Sequence, residues 1–460
     1  MWHPKIIRTC PLAVHALLLL TVVLNTTTRS DELKRSESPQ TMVLSEDGGW
    51  GYAGRHAQVA QNRLFYSYLD QEGISWVASF DFETRQITQT PLGKGNNDLH
   101  SSNPLFIRPD GRIQVFLDRG GYTDRHIAWR VSREPWSVAE FGELQESELE
   151  ADILQGRQFY AVVHPPTGAV YLVINALRAD QIRKTVMWKS PDGGDSWTEY
   201  HNLWALGQGL SGNRCYSRIF LRGDEIHFLT LRVGWGEPLA GHPIGRVEGV
   251  YYIRYNVTNR TFHRADGSPS FALDDTPLYD TRHFDEIWNW SRDGQERQRA
   301  VWSDIVADAD GRPFVTFAAQ DAAPRGQSQL HEGYWATPNA EGQWHFHHVA
   351  TLARGWDNTP ERKNLAIAID PHDPHAVFLA RSTSEADDLS QIQRMVTRDG
   401  GARWDTADVL SEEGRLTTVV IPQVLDDSRR EVDVLWLEGR MEGWRSYATQ
   451  VVARRMAAPE

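Results

Sequence analysis

Cysteine is nearly absent: the 460 residues contain two, Cys10 and Cys215. Cys10 lies ahead of an N-terminal apolar run that reads as a leader, so the remaining chain keeps Cys215 alone and has no intrachain disulfide. Packing has to hold the fold together. Long apolar runs are lacking too. The nearest approach, Leu12 to Leu24, is short for a bilayer span. Lys5 and Arg8 precede it and the small polar stretch Asn25 to Ser30 follows, which is the layout of a secretory signal over residues 1–30. An uncleaved anchor is the plainer alternative. The expected location is secreted or periplasmic, with no membrane association after cleavage.

Positive charge is in short supply. Lys and Arg total 48 against 61 Asp and Glu, a formal net charge of −13. Residues 1–30 hold three basic residues (Lys5, Arg8, Arg29) and no acidic ones, so the mature chain stands at −16. Such a chain is a poor partner for nucleic acid or an anionic membrane, and takes an anionic polymer only through a local basic cleft. The sequence has no Walker pattern, no His-Glu-x-x-His zinc motif and no heptad repeat. Gly93-Lys94-Gly95-Asn96 is too short to cradle a phosphate, and no helical pattern follows it.

What the chain has is aromatic residues, 18 Trp among them, and a recurring turn-plus-strand pattern. Period-two apolar strands appear at Leu64–Leu69, Ile113–Leu117, Val170–Ile174, Glu225–Leu229, Pro313–Phe317, Ala376–Ala380 and Val432–Leu437. Most follow a turn of Gly, Asp or Asn, such as Asp110-Gly111 or Asp310-Gly311. A spacing of roughly fifty residues is that of a four-stranded propeller blade. The expectation is an all-β, seven-bladed β-propeller filling residues 31–460 as one domain, and a monomer. A longer interval around residues 231–301 carries Gly/Pro-rich loops and a charged stretch, read as an insertion that shapes the binding face.

Two segments share the pattern Ser/Thr-x-Asp-Gly-Gly-x-x-Trp: Ser190 to Trp197 and Thr397 to Trp404. Their Asp and hydroxyl side chains can bond the turn's own backbone, the glycines supply positive φ, and the Trp packs between sheets. Both read as structural. The polar turn Asn97 to Pro104 is different, because its His100 stands before the strand Leu105-Phe106-Ile107 and recurs nowhere else in the pattern. His100 is therefore a candidate for function; a turn His bonded to nearby backbone is the plain alternative.

With these features together, the chain resembles the secreted BNR/Asp-box repeat proteins, and among them the seven-bladed ulvan and rhamnose–glucuronate lyases. The segment Asp98-Leu99-His100, Asn103-Pro104, Pro109-Asp110-Gly111-Arg112 carries most of the resemblance, followed by Arg214-Cys215-Tyr216 and Asp308 to Pro313. The resemblance implies a polysaccharide cleft at one end of the central axis. It implies that His100, Tyr160 and Tyr216 are catalytic. Asn103, Asn175, Arg214 and Trp235 are assigned to substrate binding. Two positions depart from the family pattern: Gly121 stands where a second His is expected, and Asn175 stands where an Arg faces the uronate carboxylate.

β-Elimination from a uronic acid needs the carboxylate neutralised, a base for the C5 proton and an acid for the leaving oxygen. His100, whose unperturbed pKa is about 6.5, suits the base; Tyr160 or Tyr216 suits the acid. Arg214, with hydrogen bonds from Asn175, suits the neutralising role. No cofactor is required, although a structural metal is conceivable at His201, Cys215, His242 and His283, which match no tight ligand spacing. His345, His347 and His348 read as surface residues. A sialidase-like or rhamnosidase-like glycoside hydrolase is the alternative. Arg55, Arg214 and Arg381 offer arginines for a sialidase, but the expected Arg-Ile-Pro segment is missing. A non-catalytic carbohydrate-binding propeller is the third reading, motivated by Gly121 and Asn175.

Overall fold

A computed structural model describes residues 41–50, 56–95, 99, 103–117, 126–148, 153–178, 183–205, 214–233, 249–275, 280–289, 299–320, 331–352, 367–383, 389–428, 430–443 and 445–455. The expected signal segment 1–30 lies outside them. Within these residues the helical pieces are two short 3-10 turns, Leu273–Asp275 and Thr281–His283; the rest of the regular structure is strand. No helix among them is long and apolar enough to cross a membrane.

Within each sheet the strands pair antiparallel, mostly with their sequence neighbours; two-residue turns such as Gln61-Asn62 and Gly223-Asp224 leave no room for a crossover. The first sheet runs Ala57–Ala60, Arg63–Leu69, Ile74–Asp81, Ile87–Lys94. The second runs Leu105–Ile107, Ile113–Leu117, His126–Val131, Gln145–Glu148, and the third Ile153–Val163, Val170–Arg178, Arg183–Ser190, Glu199–Trp204. The fourth starts with Arg214–Arg222, Glu225–Val233 and Gly249–Asn256, and adds Thr261–His263, Pro269–Ala272 and Asp285–Asn289. The interval 231–301 thus supplies several strands to this sheet, while its Gly/Pro-rich stretches, 234–238 and 241–245, lie outside the described residues.

An eight-stranded sheet follows. Its halves, Arg299–Ala307 to Trp344–Leu352 and Ile367–Asp370 to Asp405–Val409, are joined by the single residue pair Leu352↔Arg381. In the last sheet Leu416–Val420, Val432–Gly443 and Ser446–Arg455 are completed by Thr41–Ser45 from the other end of the described chain. Each of the strands expected from the period-two pattern falls inside an observed one.

The sheets close on themselves. The inner strands Ala57–Ala60, Leu105–Ile107, Ile153–Val163, Arg214–Arg222, Arg299–Ala307, Ile367–Asp370 and Leu416–Val420 touch in that order. Gln423–Val424 then pairs in parallel with Gln58–Val59, returning to the first sheet. The apolar side chains pack between sheets rather than in one central core. Phe116 and Trp129 meet Phe159 and Trp188 between the second and third. Leu64 and Tyr66 meet Leu435 and Val451 between first and last. Full burial of each such side chain is worth about 1.5–3 kcal/mol, so the interfaces supply what a disulfide would in a smaller domain.

The two Ser/Thr-x-Asp-Gly-Gly turns show the expected bonding. Asp192 Oδ1 accepts from the Ser196 amide at 2.9 Å, and Ser190 Oγ accepts from the Gly194 amide at 2.7 Å. In the second turn Asp399 Oδ1 accepts from the Arg403 amide at 2.9 Å, and Thr397 Oγ1 from the Gly401 amide at 2.8 Å. Gly401 has φ +97, and a Cβ there would stand 2.9 Å from the Trp335 ring, so both conformation and space demand glycine. Trp197 packs edge-on to Trp129, tying the third sheet to the second, and Trp404 packs edge-on to Trp335, tying the two halves of the eight-stranded sheet together.

Candidate functional site

The inner strands enclose a cavity of about 80 Å³ on the axis. Its polar lining is His56, Tyr160, Arg218, Asp304 and Gln423, drawn from different sheets; residues such as Ile305 and Ile369 form the apolar walls. At about 10–15 Å³ per water, it takes several waters or one small polar group.

Bulges aim the residues at this cavity. On the strand Ile153–Val163 the register slips between Arg157, opposite Asn175, and Tyr160, opposite Val173. One extra residue on the inner strand re-aims the side chain that follows, which is Tyr160. The same slip occurs between Val301 and Ser303, just before Asp304, and between Thr417 and Val420 in the last sheet. There Thr418, fully buried, holds φ +53, an unusual conformation for a β-branched residue. Local strain of this kind collects at functional sites.

Tyr160 is 5% exposed, and the Arg218 guanidinium carbon stands 5.8 Å from the centroid of its ring. Asp304 is held by backbone donors: its Oδ1 accepts from the Ile305 amide and its Oδ2 from the Ile369 amide, both at 3.0 Å. His56, also buried, stacks on Trp50 at a 6.0 Å centroid separation. Its Nδ1 is 3.4 Å from Ser67 Oγ, which donates at 2.5 Å to the main-chain oxygen of Asn103.

The residues expected from sequence fall into three groups. Tyr160 lines the cavity. Asn103 is buried beside the His56–Ser67 pair, and among the described residues neither end of its amide finds a hydrogen-bond partner. Tyr216 is half-buried on the same strand face as Arg218, two residues away, and packs on the adjoining apolar core.

Asn175 is buried between the third and fourth sheets, where its Oδ1 accepts from the Ser217 amide at 3.3 Å. Ser217 Oγ continues a hydroxyl chain to Thr185 Oγ1 at 2.7 Å and Thr230 Oγ1 at 2.9 Å. His100, Gly121 and Trp235 lie outside the described residues, as does the side chain of Arg214.

Sequence reasoning passed over His56, Arg218 and Asp304. For Arg218 a signal was present, since Arg214, Tyr216 and Arg218 alternate along one strand. Among the described residues no three His, Cys, Asp or Glu side chains gather as metal ligands. His201 stands 3.8 Å from Glu199, and burial pushes its imidazole below the usual range. His283 is 3.7 Å from Asp280. His345 and His348 are exposed, as expected, and His347 is half-buried against Trp335.

The fold is similar to that of an ulvan lyase. A solved structure described as a polysaccharide lyase of family PL25, an ulvan lyase bound to -[GlcA(1-4)Rha3S]-, matches with TM-score 0.66 at 14% identity, over 90% of this chain and 95% of its own. A second structure of a PL25 ulvan lyase gives the same values. An α-L-arabinanase from Penicillium chrysogenum matches with TM-score 0.45 at 9% identity, over 76% of this chain and 92% of its own. No protein-family profile matches the sequence, and no curated protein matches it. At these identities the likeness is one of fold.

Proposed function

We propose that this chain is a secreted carbohydrate-active enzyme, a polysaccharide lyase that cleaves a uronate-containing polymer by β-elimination. The supporting architecture is a seven-bladed propeller. Counting the halves of the eight-stranded sheet separately, because one residue pair joins them, gives seven units, each with its inner strand on the axis.

The observation that carries the reading is Tyr160: a bulge-aimed phenol in the axial cavity, under the Arg218 guanidinium and in company with His56 and Asp304. Fold likeness alone would be an analogy; a proton-transfer group beside a cation at the axial mouth is what elimination needs. In the reaction a base removes the C5 proton and the C4–C5 double bond forms. The C4–O bond breaks, and the departing oxygen takes a proton. Tyr160, His100 and Tyr216 divide the two proton transfers, and Asn103, Asn175, Arg214 and Trp235 bind the polymer. Positioned acid–base groups of this kind contribute about 10²–10⁴-fold.

A second reading, a non-catalytic carbohydrate-binding propeller, draws on Asn175, whose amide oxygen is engaged by the Ser217 backbone. The experiment that separates them is incubation of the full chain with a panel of uronate polysaccharides, following ultraviolet absorbance of the unsaturated product. Product formation that disappears in Tyr160→Phe supports the enzyme. Binding without product across the panel supports the second reading.

A further inference from the structure

Elimination next to a carboxylate requires a cation at that carboxylate, because charge builds on it as the C5 proton leaves. We propose that Arg218 is this cation, and that the substrate's carboxylate enters the axial cavity between Arg218 and Tyr160. The inference rests on the uronate reading above and names the residue that reads the acid.

Three observations point to it. The Arg218 guanidinium stands at the Tyr160 ring, 5.8 Å from its centroid, so a carboxylate held there brings C5 next to the phenol. The cavity of about 80 Å³ fits a carboxylate and waters. Asn175, on the strand beside Tyr160, carries no charge, and its oxygen is committed to the Ser217 amide, one residue from Arg218. The charge missing at position 175 is thus present on the adjoining inner strand. The ionisable groups that line the cavity with Tyr160 are His56, Arg218 and Asp304. Asp304 has each oxygen on a backbone amide. Arginine has five donors in a planar fork, enough to keep its protein neighbours and grip a carboxylate in two-point fashion.

The test measures binding of a glucuronate-containing oligosaccharide and its carboxyl-reduced counterpart to the full chain by calorimetry. Unmodified protein, Arg218→Gln, Arg218→Lys and Arg214→Gln are compared. The unmodified protein is expected to prefer the acid by about tenfold or more, the value of one charge-assisted bond. In Arg218→Gln the ratio falls to near unity, and in Arg218→Lys it is intermediate. A purely structural role for Arg218 would weaken both ligands equally and leave the ratio alone.

An unchanged ratio in Arg218→Gln, or in Arg218→Lys should the Gln variant not fold, overturns the assignment. So does a ratio that collapses in Arg214→Gln instead, or failure of both ligands to bind. Acid preference that depends on Arg218, with no unsaturated product, defeats the elimination and leaves this inference standing. Product formation with an unchanged ratio does the reverse.

Discussion

Acid should destabilise this protein through His227 in a way that one substitution removes. His227 is fully buried in the fourth sheet, with Nδ1 2.8 Å from the Tyr252 hydroxyl and, among the described residues, no partner for Nε2. Burial, reinforced by the nearby Arg254 and Arg222 charges, pushes its imidazole from the ordinary 6.5 down to about 3. Because the folded value is depressed, the unfolded chain binds the extra proton first. Stability is therefore lost as pH falls below 6.5 and goes on falling until about pH 3.

At pH 5 the unfolded imidazole is 1.5 units below its titration point, and at 1.36 kcal/mol per unit the loss relative to pH 7 is about 2 kcal/mol. The figure is set by the unfolded value, because the folded imidazole stays neutral at pH 5. Urea unfolding of the unmodified chain and His227→Gln at pH 7 and pH 5 is the assay. The unmodified chain should lose about 2 kcal/mol more than the variant between the two pH values. His201 and His372, both lowered by burial, add the same slope to both proteins and cancel. A difference between them under about 0.5 kcal/mol would refute the argument, since an imidazole that titrates normally contributes no such term.

Other consequences follow from single residues. Tyr160→Phe removes one oxygen and keeps the packing, so turnover should fall about 10²–10⁴-fold with an unchanged circular dichroism spectrum. Gly401→Ala forces a Cβ onto φ +97 with His347 at 2.7 Å, whereas Gly400→Ala at φ +71 meets nothing within 4 Å. The first should cost about 1–3 kcal/mol more than the second in denaturant unfolding. Arg430 pairs at 2.7 Å with Asp370, whose side chain is 5% exposed. Arg430→Met should cost about 3–5 kcal/mol by leaving that carboxylate buried without its cation, and a loss below 1 kcal/mol would show the pair to be well hydrated.

The repeat was legible in the sequence because it is written in local chemistry. A period-two apolar strand after an Asp-Gly turn has one good conformation, and Pro313–Phe317 and Ile113–Leu117 form as read. The two Asp-Gly-Gly turns were legible for the same reason. The contribution of Thr41–Ser45 to the last sheet was not, since pairing across some four hundred residues leaves no mark on five residues. The site was legible only in part. Tyr160 was reached through resemblance, but the bulges that aim Tyr160 and Asp304 depend on how two strands register. His56 gave no signal, because its place on the axis comes from closure of the ring and not from its neighbours in sequence.

The chemistry can be put to one measurement: digestion of a glucuronate-containing polysaccharide by the full chain in ¹⁸O-labelled water, with the products weighed by mass spectrometry. Elimination keeps the original glycosidic oxygen on the new reducing end, so that end should be unlabelled and the other fragment should be lighter by one water. Label at the new reducing end would make the enzyme a hydrolase, and polymer left whole under every condition would contradict cleavage altogether.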